Sequence, residues 1–413
     1  MASDQSNNAQ QEKRNVLGNF LPFFLMLCTG VSISSIDMYL PALPELAQYF
    51  NTTDNMLRIS VMISPFVSAF TGLFYGTLSD QYGRRPIILF CLLMFSLGSL
   101  WCAFSSSATE FLTARIVQAL GSTGMGLQTI TVLSDKFRGL TLARYLSVYS
   151  VLYPVTFALA PNVGAFLMLY TSWHGMFYLL ASLGAGLMIF MYNALPETIV
   201  TRSSSSNNLS ISVWCATILT MFRTKPIFRH MALTNALAVV MNNIFVTNAP
   251  FMFEQHFELT RTQFANISVI PNSFNIIGCL YYSFLLRSRT PKFCINVGRV
   301  VTLLFMAIAL IALCVPSLLG VASVVVIYCL CAFGMSFLTM TSVGFAVSDM
   351  QTDKGLGNGI IQFVRNISSS SAVMLFGYFC SGSVEQVFFA MSMCALGVLL
   401  TVSNCYNRLP DLT

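Results

Sequence analysis

The feature that most constrains this chain is a series of apolar runs, each about 20 residues long. A helix of about 20 residues crosses the roughly 30 Å hydrocarbon core of a bilayer. We place twelve such runs, which predict an all-α membrane protein with twelve transmembrane helices. The predicted spans lie near 17–45, 58–78, 87–105, 109–132, 144–168, 174–195, 229–252, 263–286, 295–315, 317–340, 357–380 and 385–404.

The composition excludes most other classes of protein. Hydrophobic residues make up 55% of the 413, charged residues only 9%, and the mean hydropathy is +0.72. A soluble domain carries about 25% charged residues. We therefore expect the lipid bilayer as a partner, and we exclude a disordered chain, a nucleic-acid-binding domain and a secreted disulfide scaffold. The 12 cysteines form no CxxC pair, and almost all of them fall inside apolar runs, which favours packing over metal binding or disulfides.

The longest polar interruption falls in the middle of the chain and divides the spans into six plus six. This predicts a cytoplasmic tail at 1–16, a first bundle at 17–196, a linker at 197–228, a second bundle at 229–405 and a tail at 406–413. Within the linker, Ile211 to Phe222 is an apolar stretch too short to span, which favours a helix lying at the membrane interface over a plain linker.

The basic residues predict the orientation. With the N-terminus inside, 17 of the 21 Lys and Arg residues fall in cytoplasmic segments, whereas only Arg58 and Arg261 fall outside. Such a bias predicts that both termini and the linker are cytoplasmic. Because no cleavage site follows the polar N-terminus, the first run is predicted to be an uncleaved span. The formal net charge of +6 is then explained by topology and does not indicate an acidic partner.

Three charged residues lie at membrane depth, where a charge costs about 3 kcal/mol on insertion scales. Asp37 is the only carboxylate well inside a span, and Arg115 and Arg365 lie in the fourth and eleventh spans. Asp37 and Arg115 are both predicted in the outer half of the bilayer, where they can share one polar cavity. Asp37 is then either a proton or substrate site or half of a static pair that orients helices, and we favour the first.

The fourth span carries a polar stripe. Arg115, Gln118, Ser122 and Thr129 recur with Ala119 at helical spacing, which predicts a side facing a water-filled path. The glycines beside the stripe, at 121, 124 and 126, favour close helix packing over gating.

The loop between the second and third spans combines glycines with opposite charges. Gly76 permits close helix contact and Gly83 a tight turn, while Asp80 can bond the free N–H groups at a neighbouring helix N-terminus. From the residues alone, two roles of Arg84 and Arg85 are equally favoured. They either form a functional latch or only keep this loop on the cytoplasmic side, as the positive-inside rule describes.

Uncharged polar side chains occur within the spans of the second half. They are Asn242, Asn243, Asn248, Asn272, Asn275 and Gln362, for which hydrogen bonding between helices is the simpler explanation. Aromatic residues are common in this chain, so Tyr39, Tyr153 and Phe245 are weaker cavity candidates. The full set of candidate cavity residues is Asp37, Tyr39, Arg115, Gln118, Ser122, Tyr153, Pro161, Asn242, Phe245, Asn248, Gln362 and Arg365.

These motifs together resemble those of a known family. Gly76-x-Leu78-x-Asp80-x-x-Gly83-Arg84-Arg85-Pro86 resembles the signature loop of the major facilitator superfamily, and Arg115-x-x-Gln118-Ala-Leu-Gly121 resembles its second motif. Narrower matches resemble the bicyclomycin-resistance (Bcr/CflA) group of bacterial multidrug/proton antiporters. They are Asp37-Met-Tyr-Leu-Pro-Ala-Leu-Pro44, Ala160-Pro161-Asn-Val-Gly164-Ala165, Leu195-Pro196-Glu197-Thr198 and Asn248-Ala249-Pro250-Phe251.

The resemblance implies an exporter of the bacterial inner membrane that contributes to antibiotic resistance, with two six-helix bundles that alternate access to a central cavity. It implies that Asp80 and Arg84 form the cytoplasmic latch of the outward-facing state and that Arg115 supports proton coupling. The chain departs from the family pattern at Ala160 and Ala165, where antiporter members usually carry glycine. The basic cluster Arg287-Ser-Arg289-Thr-Pro-Lys292 resembles a decayed second copy of the latch.

The leading hypothesis is therefore a monomeric transporter that exports small amphipathic molecules, drugs or endogenous metabolites such as siderophores, in exchange for protons. It needs no cofactor beyond the proton gradient. The alternative is a symporter or facilitator that imports a small metabolite. We exclude an enzyme, since the three histidines are isolated and no ATP-binding loop, metal-ligand spacing or nucleophile motif is present.

Overall fold

The computed structural model describes residues 2–137, 139–197, 211–286, 288–315, 319–348, 354–380 and 382–407, which form helices joined by turns and contain no strand. The helices are α1 Ala2–Asp37, α2 Leu43–Tyr49, α3 Asp54–Tyr82, α4 Arg84–Phe104, α5 Ala108–Lys136, α6 Gly139–Leu167, α7 His174–Ala194, α8 Ile211–Thr224, α9 Pro226–Phe251, α10 Arg261–Leu285, α11 Pro291–Cys314, α12 Val321–Ser348, α13 Lys354–Phe379 and α14 Val384–Tyr406. A short 3-10 turn, Leu40–Ala42, precedes α2, and a π-helical turn, Met252–His256, follows α9.

The long helices form two groups that meet along two seams. In the first half, α4 packs on α5 and α7, and α3 packs on α5. In the second half, α12 packs on α10 and α11, and α9 packs on α14. The halves meet where α3 packs on α13 and α6 packs on α10. This confirms the predicted all-helical fold of two bundles.

Seven of the described helical segments are long and apolar enough to cross a membrane, and the bent helix α3 makes eight. The seven are Phe20–Tyr49, Arg84–Phe104, His174–Ala194, Pro226–His256, Pro291–Cys314, Val321–Ala346 and Val384–Tyr406. Other long helices, α5 and α13 among them, carry more polar side chains, so the count of twelve spans stays a prediction. The short helix α8 covers the stretch Ile211–Phe222 that the sequence singled out.

Helix α1 begins before the predicted first span and ends within it, while the apolar segment of the structure, Phe20–Tyr49, lies close to the predicted span 17–45. It begins at Ala2, so the segment expected as a separate tail is helical, in keeping with its Ala, Gln, Glu and Lys content. It ends at Asp37, in mid-span, and the chain turns through Leu40–Ala42 into α2. Pro41 and Pro44 cannot donate backbone hydrogen bonds and sit at the starts of the two following helical segments.

The glycines expected to pack helices behave differently from one another. A Cβ at Gly121 would collide with the backbone of Phe95 on α4, and one at Gly124 would collide with Cys91. Both therefore let α5 approach α4 closely. Gly126 and Gly76, by contrast, have open space around the Cβ position among the described residues. The close helix contact predicted at Gly76 is therefore wrong, because that glycine is exposed.

Candidate functional site

The break after α1 places Asp37 in a cavity between the two halves. In this conformation the cavity has a volume of about 40 Å³ and is lined by Asp37, Leu40, Phe157, Pro161, Phe245, Val246, Ala249, Phe253, Phe264, Ile267, Ser268, Pro271, Asn272, Val325 and Tyr328. Of the described residues that line this wall, Asp37 alone is charged. Its side chain is 2% exposed, and its Oδ2 atom has no hydrogen-bond partner among the described residues.

Arg115 lies beside the cavity, inside a network of the first half. Its Nη1 donates to the carbonyl oxygen of Ser35 at 2.8 Å and to Gln118 Oε1, and its Nη2 donates to Ser64 Oγ at 3.1 Å. The guanidinium carbon lies 4.5 Å from the centre of the Tyr39 ring. Tyr39 in turn shares a 2.9 Å hydrogen bond with Ser60. Arg115 is fully buried and is not part of the cavity wall.

Asp37 and Arg115 are not in salt-bridge contact in this conformation. The salt bridges among the described residues involve Arg84 alone. The static Asp37–Arg115 pair is therefore not observed, and the carboxylate faces the cavity while the arginine is held by neutral partners. Gly164 of α6 helps to set this geometry, because a Cβ there would collide with the carbonyl oxygen of Met38.

The polar stripe of α5 does not face a water-filled path, so that prediction is wrong. Besides Arg115, Thr129 Oγ1 donates to the carbonyl of Leu25 at 2.8 Å, and the carbonyl of Ser122 accepts from Ser32 at 2.8 Å. Gln118 donates to Ser99 Oγ of α4 at 2.8 Å. The stripe is buried because α1 and α4 supply the hydrogen-bond partners that water would otherwise provide.

The amides of the second half fall into three groups. Three of them form hydrogen bonds with another helix: Asn242 Oδ1 accepts from Tyr328 at 2.7 Å, Asn243 donates to Ser369 Oγ at 2.5 Å, and Asn275 donates to the carbonyl of Ala332 at 3.4 Å. Asn248 donates to Ile244 of its own helix, and Gln362 accepts from Arg365 one turn away. Asn272 has no hydrogen bond among the described residues and lines the cavity.

The candidate cavity residues thus separate into distinct places. Asp37, Pro161 and Phe245 line the cavity. Tyr39, Arg115, Gln118 and Ser122 are buried within the first half, as described above. Asn242, Asn248, Gln362 and Arg365 lie outside the wall, where they bond to protein neighbours. The side chain of Tyr153 lies outside the described residues.

The loop motif forms a compact ion cluster at the end of the bundle that holds the α3–α4 turn, which we call the basic end. Arg84 forms a salt bridge with Asp80, and its Nε donates to Asp135 Oδ2 at 3.0 Å. Its Nη1 also donates to Ser79 Oγ at 2.5 Å. The described contacts of this cluster join α3, α4 and α5 within the first half.

Glu197, and not Asp80, caps the N-terminus of α4. Its Oε1 accepts from the backbone N–H of Arg84 at 2.9 Å, and its Oε2 accepts from that of Arg85 at 3.4 Å. Gly83 has a φ of 108°, and a side chain there would collide with the Glu197 carboxylate. The predicted role of Asp80 as a cap is therefore wrong, because Asp80 pairs with Arg84 and the acid after α7 takes the N–H groups.

At the opposite end, the two halves are joined around Arg58 of α3. Arg58 is 4% exposed, and its guanidinium carbon lies 4.9 Å from the centre of the Phe251 ring of α9. A Cβ at Gly382, in the turn before α14, would collide with Arg58 Nη2. Gln255 also donates to Asp54 Oδ2 at 3.1 Å. We call these contacts the Arg58 cluster.

The sequence did not identify most of the cavity wall. Phe264, Ile267, Ser268, Pro271 and Asn272 share one face of α10 at intervals of three and four residues, and this periodicity was the available signal. Tyr328 sits in a uniformly apolar helix, where nothing in the local pattern distinguishes a cavity-facing ring from a lipid-facing one. The charge bias predicts that Arg58 lies on the outer side but does not reveal that it is buried between the halves.

Relatives of known sequence resemble most of this chain. The multidrug resistance protein MdtL of Shewanella sp. (strain ANA-3) is 25% identical over 387 residues, which cover 92% of this chain and 94% of that protein. The uncharacterized MFS-type transporter YdgK of Bacillus subtilis (strain 168) is 26% identical over 62% of this chain and 65% of its own length.

Solved transporter structures share the fold. The D-xylose-proton symporter matches with a TM-score of 0.73 and 14% identity over 95% of this chain and 98% of that one. The peptide transporter POT in complex with sulfate matches with a TM-score of 0.75 and 14% identity over 96% of each chain. The family model of the Major Facilitator Superfamily matches residues 25–373. With two helical bundles, a cavity between them and this match, the chain belongs to the Major Facilitator Superfamily.

Proposed function

We propose that the protein exports small amphipathic molecules in exchange for protons. The observation that carries this proposal is the buried carboxylate of Asp37, which faces an otherwise uncharged cavity between the halves and leaves one oxygen without a partner. A charged group at this depth is costly unless it is paired or neutralised. Binding a proton neutralises Asp37, so the cavity provides a proton site next to the space that a substrate would occupy.

Arg115 supplies the means of releasing that proton. In this conformation its guanidinium bonds to Ser35, Gln118 and Ser64 and does not contact Asp37. A nearby cation favours the ionised form of a carboxyl group. We propose that rocking of the halves changes the distance between Asp37 and Arg115, so that the proton binds in one state and leaves in the other.

Alternating access requires that each end of the cavity opens in turn. The Arg58 cluster joins α3 to α9 and to the turn before α14, and we propose that it closes the end opposite the basic end. The ion cluster of Asp80, Arg84 and Asp135 would act at the basic end, where Gly83 and Arg85 shape the turn. In the outward-facing state we propose that this cluster engages the second half.

The placement in the cell follows from the charge bias. We propose that the protein lies in the bacterial inner membrane as a monomer, with both termini and α8 on the cytoplasmic side, since 17 of the 21 Lys and Arg residues then lie inside. The basic end is then the cytoplasmic end. The MdtL relatives suggest drugs as substrates and a contribution to antibiotic resistance, and export of endogenous metabolites such as siderophores fits the same cavity.

Import by proton symport is the second candidate. Ala160 and Ala165 replace the glycines usual in antiporters, and both are buried beside Pro161 of the cavity wall. Each alanine adds a methyl group where α6 packs, which weakens the resemblance to antiporters but leaves the helix contact in place.

Transport in liposomes separates these functions. Purified protein would be reconstituted, a pH gradient imposed, and flux of candidate drugs measured for wild type, Asp37→Asn and the control Glu110→Gln, which alters a half-buried acid at the first turn of α5, away from the cavity wall. Antiport predicts that substrate accumulates in the more acidic compartment, that Asp37→Asn abolishes accumulation, and that Glu110→Gln does not. Accumulation by Asp37→Asn equal to wild type would refute the role of Asp37, and accumulation in the less acidic compartment would identify a symporter.

A further inference from the structure

The two halves contribute unequally to the cavity wall. Four lining residues, Asp37, Leu40, Phe157 and Pro161, belong to the first half, whereas the other eleven belong to α9, α10, α12 and the π-helical turn of the second half. The proposed proton site is therefore on one side, and most of the surface available to a substrate is on the other. The contacts that distinguish one substrate from another are expected on the second-half side.

Three polar side chains of that wall differ in whether they already have a hydrogen-bond partner within the protein. Ser268 donates to the carbonyl of Phe264 at 2.9 Å, and Tyr328 donates to Asn242 Oδ1 at 2.7 Å. Asn272, which is half-buried, has no hydrogen bond among the described residues. Its carboxamide presents one acceptor oxygen and two donor hydrogens to the cavity.

Pro271 adds to the polarity of the same spot. It lies within α10 and has no N–H, so the carbonyl of Ile267, one turn earlier, lacks its usual helical donor. Ile267, Pro271 and Asn272 all line the cavity. Around them the wall is aromatic, with Phe245 and Tyr328 stacked at 3.6 Å between ring centres and Phe157, Phe253 and Phe264 nearby.

We propose that Asn272 is the specificity-determining residue of the cavity and selects flat aromatic molecules that carry a neutral carboxamide or a similar donor–acceptor pair. This inference rests on the proposed function, since it takes the cavity as the substrate site. The aromatic wall binds the ring system, while the Asn272 amide pairs with the donor and acceptor of the substrate. A neutral polar group suits this position because Asp37 is then left free to carry the proton.

Ligand binding to the purified full-length protein tests the proposal with two probes of matched shape. 2-Naphthamide carries a donor and an acceptor, whereas methyl 2-naphthoate carries the same ring and only acceptors. Wild type is expected to bind the amide about tenfold more tightly, as for one or two neutral hydrogen bonds. Asn272→Leu is expected to remove that preference by weakening amide binding more than ester binding, since the amide loses two hydrogen bonds and the ester one. Asn272→Gln, which keeps the carboxamide, is expected to retain part of the preference.

Ser273→Ala is the matched control, since Ser273 follows Asn272 in α10, is not among the lining residues of the cavity and donates to the carbonyl of Val269 in its own helix at 2.8 Å. It should keep the preference for the amide, and thermal unfolding would verify that each variant is folded. Equal binding of both probes by wild type, no binding of either probe, or an unchanged preference in Asn272→Leu would each overturn the proposal. Failure of the proposed function would appear differently, as absent gradient-driven flux in wild type alongside an intact amide preference.

Discussion

Replacing Arg58 with alanine should shift the protein toward the state that is open at the end opposite the basic end. The guanidinium is 4% exposed and lies 4.9 Å from the centre of the Phe251 ring. A desolvated cation–π contact contributes about 2 kcal/mol. Because Arg58 belongs to α3 and Phe251 to α9, that contact exists only while this end is closed.

The size of the shift follows directly. About 2 kcal/mol corresponds to roughly a 30-fold change in an equilibrium constant. An open population of about 1% would then rise to roughly a quarter of the molecules. Such a change is large enough to appear as a second peak in a distribution of distances.

Distances between Thr109 of α5 and Glu385 of α14 would report this opening, since both are exposed and lie at that end of opposite halves. Spin labels would be attached through noncanonical amino acids, which leaves the 12 native cysteines unchanged. Phe251→Leu should shift the same equilibrium in the same direction. Arg299→Ala is the matched control, because Arg299 lies 5.0 Å from the Tyr406 ring centre within the second half.

An Arg58→Ala distance distribution identical to that of wild type would refute the reasoning. It would mean that the contacts of α3 with α13 and of α6 with α10 hold this end closed without the cluster. A shift in Arg299→Ala as large as in Arg58→Ala would also count against it, since loss of any arginine–aromatic contact would then suffice.

Two further predictions concern stability. Gly164→Ala should destabilise the fold by about 1–3 kcal/mol, because the new methyl group collides with the Met38 carbonyl and overpacks the site. Gly126→Ala should leave the stability unchanged, because there is open space at its Cβ position. Equal thermal unfolding temperatures for the two variants would contradict this prediction. Glu197→Gln should weaken the cap on the N-terminus of α4, which lowers the free energy of unfolding by about 1 kcal/mol and with it the unfolding temperature. A variant as stable as wild type would show that the charge of the cap does not contribute to stability.

The sequence predicted features that depend on one residue at a time. Apolar runs of bilayer length predict helices wherever they occur, and Asp37 stood out because a carboxylate at membrane depth is costly in any fold. The family resemblance implied that Asp80 and Arg84 act together, and their salt bridge lies within one turn of chain. These predictions required no knowledge of which helices are neighbours.

Predictions of what surrounds a given side of a helix failed more often. The α5 stripe had the periodicity of a water-lined face, yet α1 supplies its partners through the carbonyls of Leu25 and Ser35. A polar stripe marks a face that needs hydrogen bonds but does not reveal whether water, substrate or another helix provides them. The burial of Arg58 was not predicted for a related reason, since its environment is created by Phe251 and Gly382 from the far half of the sequence.

The unequal division of the cavity bears on how proton and substrate movements can be coupled. The proton site lies at the end of α1, directly before the turn at Leu40–Ala42, whereas the aromatic and amide wall belongs to α9, α10, α12 and the π-helical turn. A rocking motion moves the halves as units, so it changes the separation between Asp37 and the Asn272 wall without altering either side internally. Substrate identity can then vary through the second half while the proton chemistry of the first half stays unchanged.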